Sequence, residues 1–378
     1  MERFGGGHGG HGGRCGIRLT GSESPAAPPA VTARATAAPR AAGWPGIVVV
    51  VSVDTEEDHW EPTRDEVTVA NIEELPAFQA RCERLGARPS YFVTFPVAAT
   101  ARAADILRAL AAGGRAEIAA HLHPWNTPPL DESFVPRNTM MNNLPASLQH
   151  AKVAALTRAI EAAVAGRPLS FRAGRCGLGR ETTAALVDNG YRVDSSVMPW
   201  MSLTDLDDGP SFIGAPLTPY RLDGTTDPRV PVPGGPLVEF PLSGGFTRWP
   251  FRRWGRVHAA LTRTWLRRLR LAGIASRLHL LRRVMLNPEI SSPGDMLRLA
   301  GHLVAHGVKH LHLTLHSPSL VPGLSPFARS RRDVERLLGS LEAFVADLDR
   351  FAPVAFATVA EAAGVAPAPG RASAAAAG

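Results

Sequence analysis

Two periods of apolar residues alternate along most of this chain. Short runs of strand length end in polar clusters, and longer stretches repeat apolar residues every three or four positions, as amphipathic helices do. The first run, Ile47 to Val53, is β-branched at every position but Ser52, which predicts a strand buried on both faces. Further strands are predicted at 90–95, in the apolar residues before His121, around 169–171, at 191–193, near 237–240, at 308–316 and at 352–358. Between them the spacing predicts helices over 71–86, 101–113, 146–165, 180–189, 293–306 and 330–350, with Gly190 ending the fourth. This alternation predicts a parallel βα architecture. The rhythm fails over 197–250, where Gly and Pro predict long loops.

The chemistry gathers where predicted strands end. Asp54, Glu56, Glu57 and Asp58 follow the first strand at once, and in an extended chain Asp54 and Glu56 share a face. Carboxylates crowded there repel one another unless a cation or a catalytic proton compensates; the plainer reading is a solvated acidic loop. His121 and His123 end another run with the same spacing, so both imidazoles face one side. Two imidazole nitrogens and a carboxylate oxygen suit zinc or a neighbouring divalent ion, which favours a metal site over two unrelated polar strand ends. Near 310–316, His310, His312, Thr314 and His316 share the face opposite the leucines. His316 then stands where the strand opens into a loop, the place of catalytic residues in α/β barrels. His310 and His312 read equally well as ordinary polar residues.

Five segments occur in order: Asp54-Thr55-Glu56, His121-Leu122-His123, Phe171 to Gly179 with Arg172 and Arg175, Tyr191 to Ser196 with Asp194, and Leu315-His316. Together, over about residues 46–360, they resemble the successive motifs of the polysaccharide deacetylase (NodB-homology, carbohydrate esterase 4) family. The resemblance implies an α/β fold, a distorted (β/α) barrel with a long insertion. It implies a hydrolase that removes acetyl groups from an amino sugar or glycan with one divalent metal, zinc first, cobalt or nickel as alternatives. Carried over residue by residue, Glu56, His121 and His123 hold the metal, Asp54 is the general base and His316 the general acid. Arg175 or Arg172 pairs with Asp54, and Asp194 orients His316. The chain departs from the pattern at Thr55, where the family has a second aspartate, and at Trp125, where it has its second histidine. It also has Arg172-Ala173-Gly174-Arg175 where prolines and an aromatic usually follow the arginine. Two alternatives stay open: an amidase on a small cyclic or linear amide, and a non-catalytic carbohydrate-binding or scaffold descendant of the fold.

Composition changes the picture at the flanks. Residues 1–43 and 364–378 are Gly-, Ala- or Pro-rich and poor in bulky apolar side chains, so they read as disordered tails around a barrel at 44–363. Cys15, Cys82 and Cys176 are odd in number and lack metal-knuckle spacing, so no disulfide framework is expected. With no apolar leader segment, a cytoplasmic location is expected. Within an insertion at about 197–292, residues 248–283 hold 11 arginines and no acid, more than the whole chain's formal charge of +7. Apolar residues recur there at helical spacing. The segment therefore reads either as a solvated basic face or as a membrane-peripheral contact with anionic lipid. Nucleic acid is disfavoured, because no aromatic-interleaved stacking motif accompanies the charge.

Overall fold

The computed structural model describes residues 46–261 and 281–366. The expected tail over 1–43, residues 367–378 of the tail expected over 364–378, and residues 262–280 of the basic segment lie outside the described residues, while Gly364 and Val365 bond back to Glu361 and Ala360. Eleven strands are found: β1 Ile47–Thr55, β2 Ser90–Val93, β3 Glu117–Leu122, β4 Ser170–Ala173, β5 Val193–Asp194, β6 Tyr220–Leu222, β7 Leu237–Glu239, β8 Gly244–Phe246, β9 Arg283–Met285, β10 His310–His316 and β11 Val354–Phe356. Nine form one sheet in the order β10-β1-β2-β3-β4-β5-β7-β6, with β11 also paired to β1. Every pairing in it is parallel except that of β6 with β7. β8 and β9 form a separate antiparallel pair.

The sheet curls into a half-barrel, and one side chain shows how tightly. β4 lies three strands from β1, roughly 14 Å away in a flat sheet. Yet Arg172 on β4 bonds Asp54 and Ser52 on β1 and Thr314 on β10. Beyond β7 the chain returns toward β10: the Phe240 N–H donates to Asp194 O (2.7 Å), and the His312 N–H donates to Ser243 Oγ (2.9 Å).

The pleat of β1, which sends successive side chains to opposite faces, decides what fills each face. Ile47, Val49, Val51 and Val53 pack outward into the helical layer, against Leu75 and Leu107 among others. Val48 and Val50 face inward and join Phe92, Ala119, Val193 and Val238 in a small apolar interior. Ser52 and Asp54 continue that inner face. β10 repeats the arrangement: Leu311, Leu313 and Leu315 lie in the outer core, leaving His312, Thr314 and His316 on the inner side. Apart from His310, whose ring lies 5.5 Å from that of Phe240, the barrel interior is thus apolar at the strands' N-terminal half and polar toward their C-terminal ends.

The helices follow their predicted positions closely, among them Ala146–Val164, Arg180–Asp188, Pro293–Ala305 and Arg331–Ala346. The strand expected at 90–95 is shorter. Pro96 cannot donate to a ladder but fits a first helical turn, and Phe95–Ala99 is helical. Helix Ala146–Val164 has a task its alanine-rich sequence did not announce. Fully buried Lys152 donates to the carbonyls of Pro124 (2.9 Å), Thr127 (2.7 Å) and Pro129 (2.6 Å), fastening the loop after β3. In the basic segment, Arg252, Arg253 and Arg256 are exposed on helix Phe251–Leu261. Among the described residues no helix is long and apolar enough to cross a membrane.

Candidate active site

Glu56, His121 and His123 meet at the C-terminal ends of β1 and β3. Glu56 Oε2 lies 3.7 Å from His121 Nε2 and 3.3 Å from His123 Nε2, and the three ligand atoms all fall within 4.8 Å of one another. Two donors bound at 2.0–2.1 Å to one tetrahedral ion stand about 3.3 Å apart, so the spacing fits such an ion. The remaining ring nitrogens are anchored: His121 Nδ1 is 3.1 Å from Arg172 O, and His123 Nδ1 is 2.8 Å from Glu57 Oε1. Those acceptors place N–H at Nδ1 and turn Nε2 toward Glu56, where it donates while it carries a proton and would offer its lone pair once an ion replaced that proton, the orientation that metal-ligating histidines use. Burial pulls His123 down, but Glu57 and then Glu56 lift it to about 10, so these carboxylates hold a cation at the imidazole, whether proton or metal. Burial alone would raise Glu56; hydrogen bonds from His121 and His123 hold it well below the usual carboxylate range.

Local sequence makes room for this cluster. A Cβ on Gly174 would lie 2.6 Å from His123 Cδ2 and 2.7 Å from Leu122 O, so only glycine lets the end of β4 abut the histidine. Trp125 stacks on the His123 ring at 4.1 Å between centroids. Thr55 turns outward with Val53 and bonds its carbonyl (3.0 Å), which leaves Glu56 as the carboxylate that enters the site. Of the other two clustered acids, Glu57 braces His123. Asp58 accepts from the Ala70 and Asn71 N–H groups (2.8 Å each) and fixes the loop end structurally.

Beside the trio stand two charged pairs. Asp54 and His316 are register partners across β1 and β10, with Asp54 Oδ2 3.7 Å from His316 Nε2. The other Asp54 oxygen accepts from Arg172 Nη1. Arg172 is almost wholly buried, and its remaining N–H groups reach Ser195 O (3.0 Å), Ser52 Oγ (3.0 Å) and Thr314 Oγ1 (3.2 Å), with Phe92 beneath the guanidinium at 4.1 Å. Burial would raise Asp54, but Arg172 first, then His121 and His316, hold its carboxyl below the ordinary range. At His316 burial pulls the imidazole down and Glu289 lifts it to about 10, so it carries a proton at neutral pH. Glu289 Oε2 lies 2.7 Å from His316 Nδ1, and Glu289 Oε1 accepts the His316 N–H (3.1 Å).

Two expected partners are corrected here. Asp194 does not orient His316; Glu289 does. Val193 and Ser195 face the interior, so Asp194 between them points outward, where it bonds Ser196 Oγ (2.7 Å) and lies against Glu239. Burial and the Asp194 charge push Glu239 well above the carboxylate range, so that pair keeps a proton of its own. Arg175 does not pair with Asp54. It sits past the end of β4 at φ 53° and pairs with Asp207 (2.7 Å) and Thr139 on the cavity wall. Sequence reasoning missed Glu289 altogether, although it is the first acid after Glu239 and ends a long basic stretch. His312 is buried and kept neutral by burial and the Arg172 cation, with its Nε2 2.8 Å from Ser52 Oγ; it supports the floor. Burial pushes the Cys176 thiol up to about 12, which removes it as a nucleophile.

One cavity of about 780 Å³ opens over Asp54, Glu56, His121, His123, Arg172, Glu289 and His316. Trp60 stands at its side, edge-on to His316 and to Phe327 at 5.1 Å each.

No family model matches the chain. No curated protein matches it either. Among solved structures it is similar to a candidate polysaccharide deacetylase from Mycobacterium smegmatis, at 18% identity and TM-score 0.48, over 85% of this chain and 91% of that one. It is similar to a family 4 carbohydrate esterase from Streptomyces lividans in complex with acetate, at 16% identity and TM-score 0.29, over 40% of this chain and 63% of that one. A carbohydrate esterase 4 family pseudoenzyme from Bacillus anthracis matches at 8% identity and TM-score 0.40, over 85% of this chain and 66% of that one. These descriptions name the family that the ordered motifs resemble.

Proposed function

We propose that this protein is a metal-dependent hydrolase that removes an acetyl group from the nitrogen of an amino sugar or glycan. The observation that carries this reading is the placement of a Glu–His–His donor set, an Arg-paired aspartate and a Glu-paired histidine in one cavity. Glu56, His121 and His123 would hold the ion. A divalent ion there, zinc by the donor set, supplies Lewis acidity toward the acyl carbonyl and the attacking water. Arg172 occupies one Asp54 oxygen and leaves Oδ2 to take the proton from water. His316 Nε2, opposite, delivers a proton to the departing nitrogen while Glu289 holds Nδ1. The amide C–N bond breaks, water adds OH to the acyl carbon, and the amine leaves protonated. A scaffold has no need for a base and an acid separately charged by buried partners, which is why hydrolysis is preferred over the non-catalytic alternative.

The metal is tested directly. Full-length protein stripped with chelator and titrated with zinc should bind one ion per chain, and His121→Ala should retain almost none after dialysis, by elemental analysis. Undiminished zinc in His121→Ala would discard the three-ligand site. Glu289→Gln should lower kcat for acetate release about 10–100-fold, the usual cost of losing a carboxylate behind a working histidine, with zinc content unchanged. Wild-type kcat in that variant would remove Glu289 from the acid's support.

A further inference from the structure

Past the charged floor, the cavity walls change character. Trp60 stands against His316 and Phe327, and Met285, Ile290, Phe134, Val135, Met198 and Met201 line the same cavity. At the rim, Phe134, Val135 and Ile290 are 47%, 44% and 50% exposed, although large apolar side chains normally find cover. Two of the polar groups on these walls are already engaged, while the Trp125 Nε1 and the Glu61 carboxylate, nearer the charged floor and the Trp60 side, have no hydrogen-bond partner among the described residues. Arg175 is bonded to Asp207 and Thr139; Asn287 donates to Glu289 Oε2 (3.0 Å) and accepts the Glu289 N–H (2.7 Å). A row of sugar hydroxyls laid against the apolar stretches of Phe134, Val135, Ile290 and the methionines would lose water without gaining partners, a cost of about 1–3 kcal/mol for each buried group. Methylene groups would gain there, and unbranched methionines adapt to a flexible chain. The space is also far larger than a two-carbon acyl group requires: about 780 Å³ suits a drug-sized ligand.

We propose that the substrate is an acylated amino sugar that also carries an aliphatic chain, with the sugar beside Trp60 and the chain lying along the apolar walls. The proposal rests on the hydrolase reading above and refines its substrate class. The reaction is unchanged: water adds OH to the acyl carbon, the C–N bond breaks, and the nitrogen gains the proton. The chain can be borne by the glycosidic oxygen or by the acyl group, and these two arms are separable.

The test uses the full-length zinc-loaded protein with monomeric substrates and a free-amine readout. Methyl and octyl β-glycosides of N-acetylglucosamine form one arm, N-acetyl- and N-octanoylglucosamine the other, and N-acetylated chitotetraose is the polysaccharide comparison. Each methylene buried is worth about fourfold in affinity, so kcat/KM should rise at least about tenfold from the short to the octyl member of one arm. In Phe134→Asp and Ile290→Asp, both exposed rim positions, the octyl-to-short ratio should collapse toward one. Equal rates within both arms, with the tetrasaccharide preferred, would overturn the proposal and leave the hydrolase reading standing. Binding of octyl and methyl β-glucosaminide, measured by titration calorimetry, separates the two ideas. If nothing is hydrolysed yet the octyl compound binds at least tenfold tighter, and Phe134→Asp abolishes the difference, the apolar chamber stands and the hydrolase reading falls. If octyl binds no tighter than methyl and N-octanoylglucosamine is turned over no faster than N-acetylglucosamine, the chamber proposal falls.

Discussion

Asp54→Asn should lower kcat for deacetylation by about 10²–10⁴-fold while the protein still binds one zinc ion, because proton abstraction is lost and the ligand trio is untouched. The substitution is nearly isosteric, so the new side-chain amide keeps a carbonyl oxygen toward Arg172 but offers no base at the atom facing His316. KM should move little, because the change removes an interaction made as the proton moves rather than one made on binding. Zinc stoichiometry and acetate release measured on one preparation separate this from simple misfolding. Near-normal turnover with zinc bound would overturn the assignment of the base.

Arg172→Met should be the most destabilising single change in the site. Its guanidinium is buried against Asp54, and removing one partner of a buried pair commonly costs about 3–5 kcal/mol, because the other charge is left stranded. The loss should appear as a lower urea midpoint at neutral pH with an unchanged slope. The double variant Arg172→Met with Asp54→Asn supplies the control. It removes the stranded carboxylate, so it should be more stable than Arg172→Met alone, a coupling that a merely bulky core residue would not show. Equal midpoints for wild type and Arg172→Met would show that the guanidinium is not what holds these strand ends together.

What the sequence revealed, and what it hid, follows from how far each group lies from a regular strand. β10 carries a strict period-two pattern, and β1, apolar on both faces until Ser52, shows its phase only at Ser52 and Asp54, so the inner face of Asp54, His312, Thr314 and His316 could be read by counting. His121 and His123 share that legibility. Arg172 and Arg175 could not be separated by motif order. Arg172 lies within β4, register partner of His121, while Arg175 lies past the strand end in a left-handed conformation. Asp194 was misplaced because β5 has only two residues, too few to set a phase. Glu289 belongs to an irregular segment after β9, where no periodicity ties an acid to a histidine 27 residues on. The substrate walls were hidden for the same reason. They come from loops whose side chains converge only after the sheet curls.

The inner face of β1 runs Val48, Val50, Ser52, Asp54, and the same pleat that seats two valines in the interior aims the aspartate at the cavity. Foundation and working edge therefore share one phase. A deletion of one residue before Val51 in this strand would turn Asp54 outward and drive Val51 and Val53 into the site, whereas loops such as 197–219 can lengthen without touching that phase. Among descendants of this chain, change in β1 is consequently confined to letter-for-letter exchange, and loss of activity there should arrive by substitution in a strand of fixed length. Diversification of what the cavity accepts is left to the loops, which can grow or shrink freely above an unmoving floor.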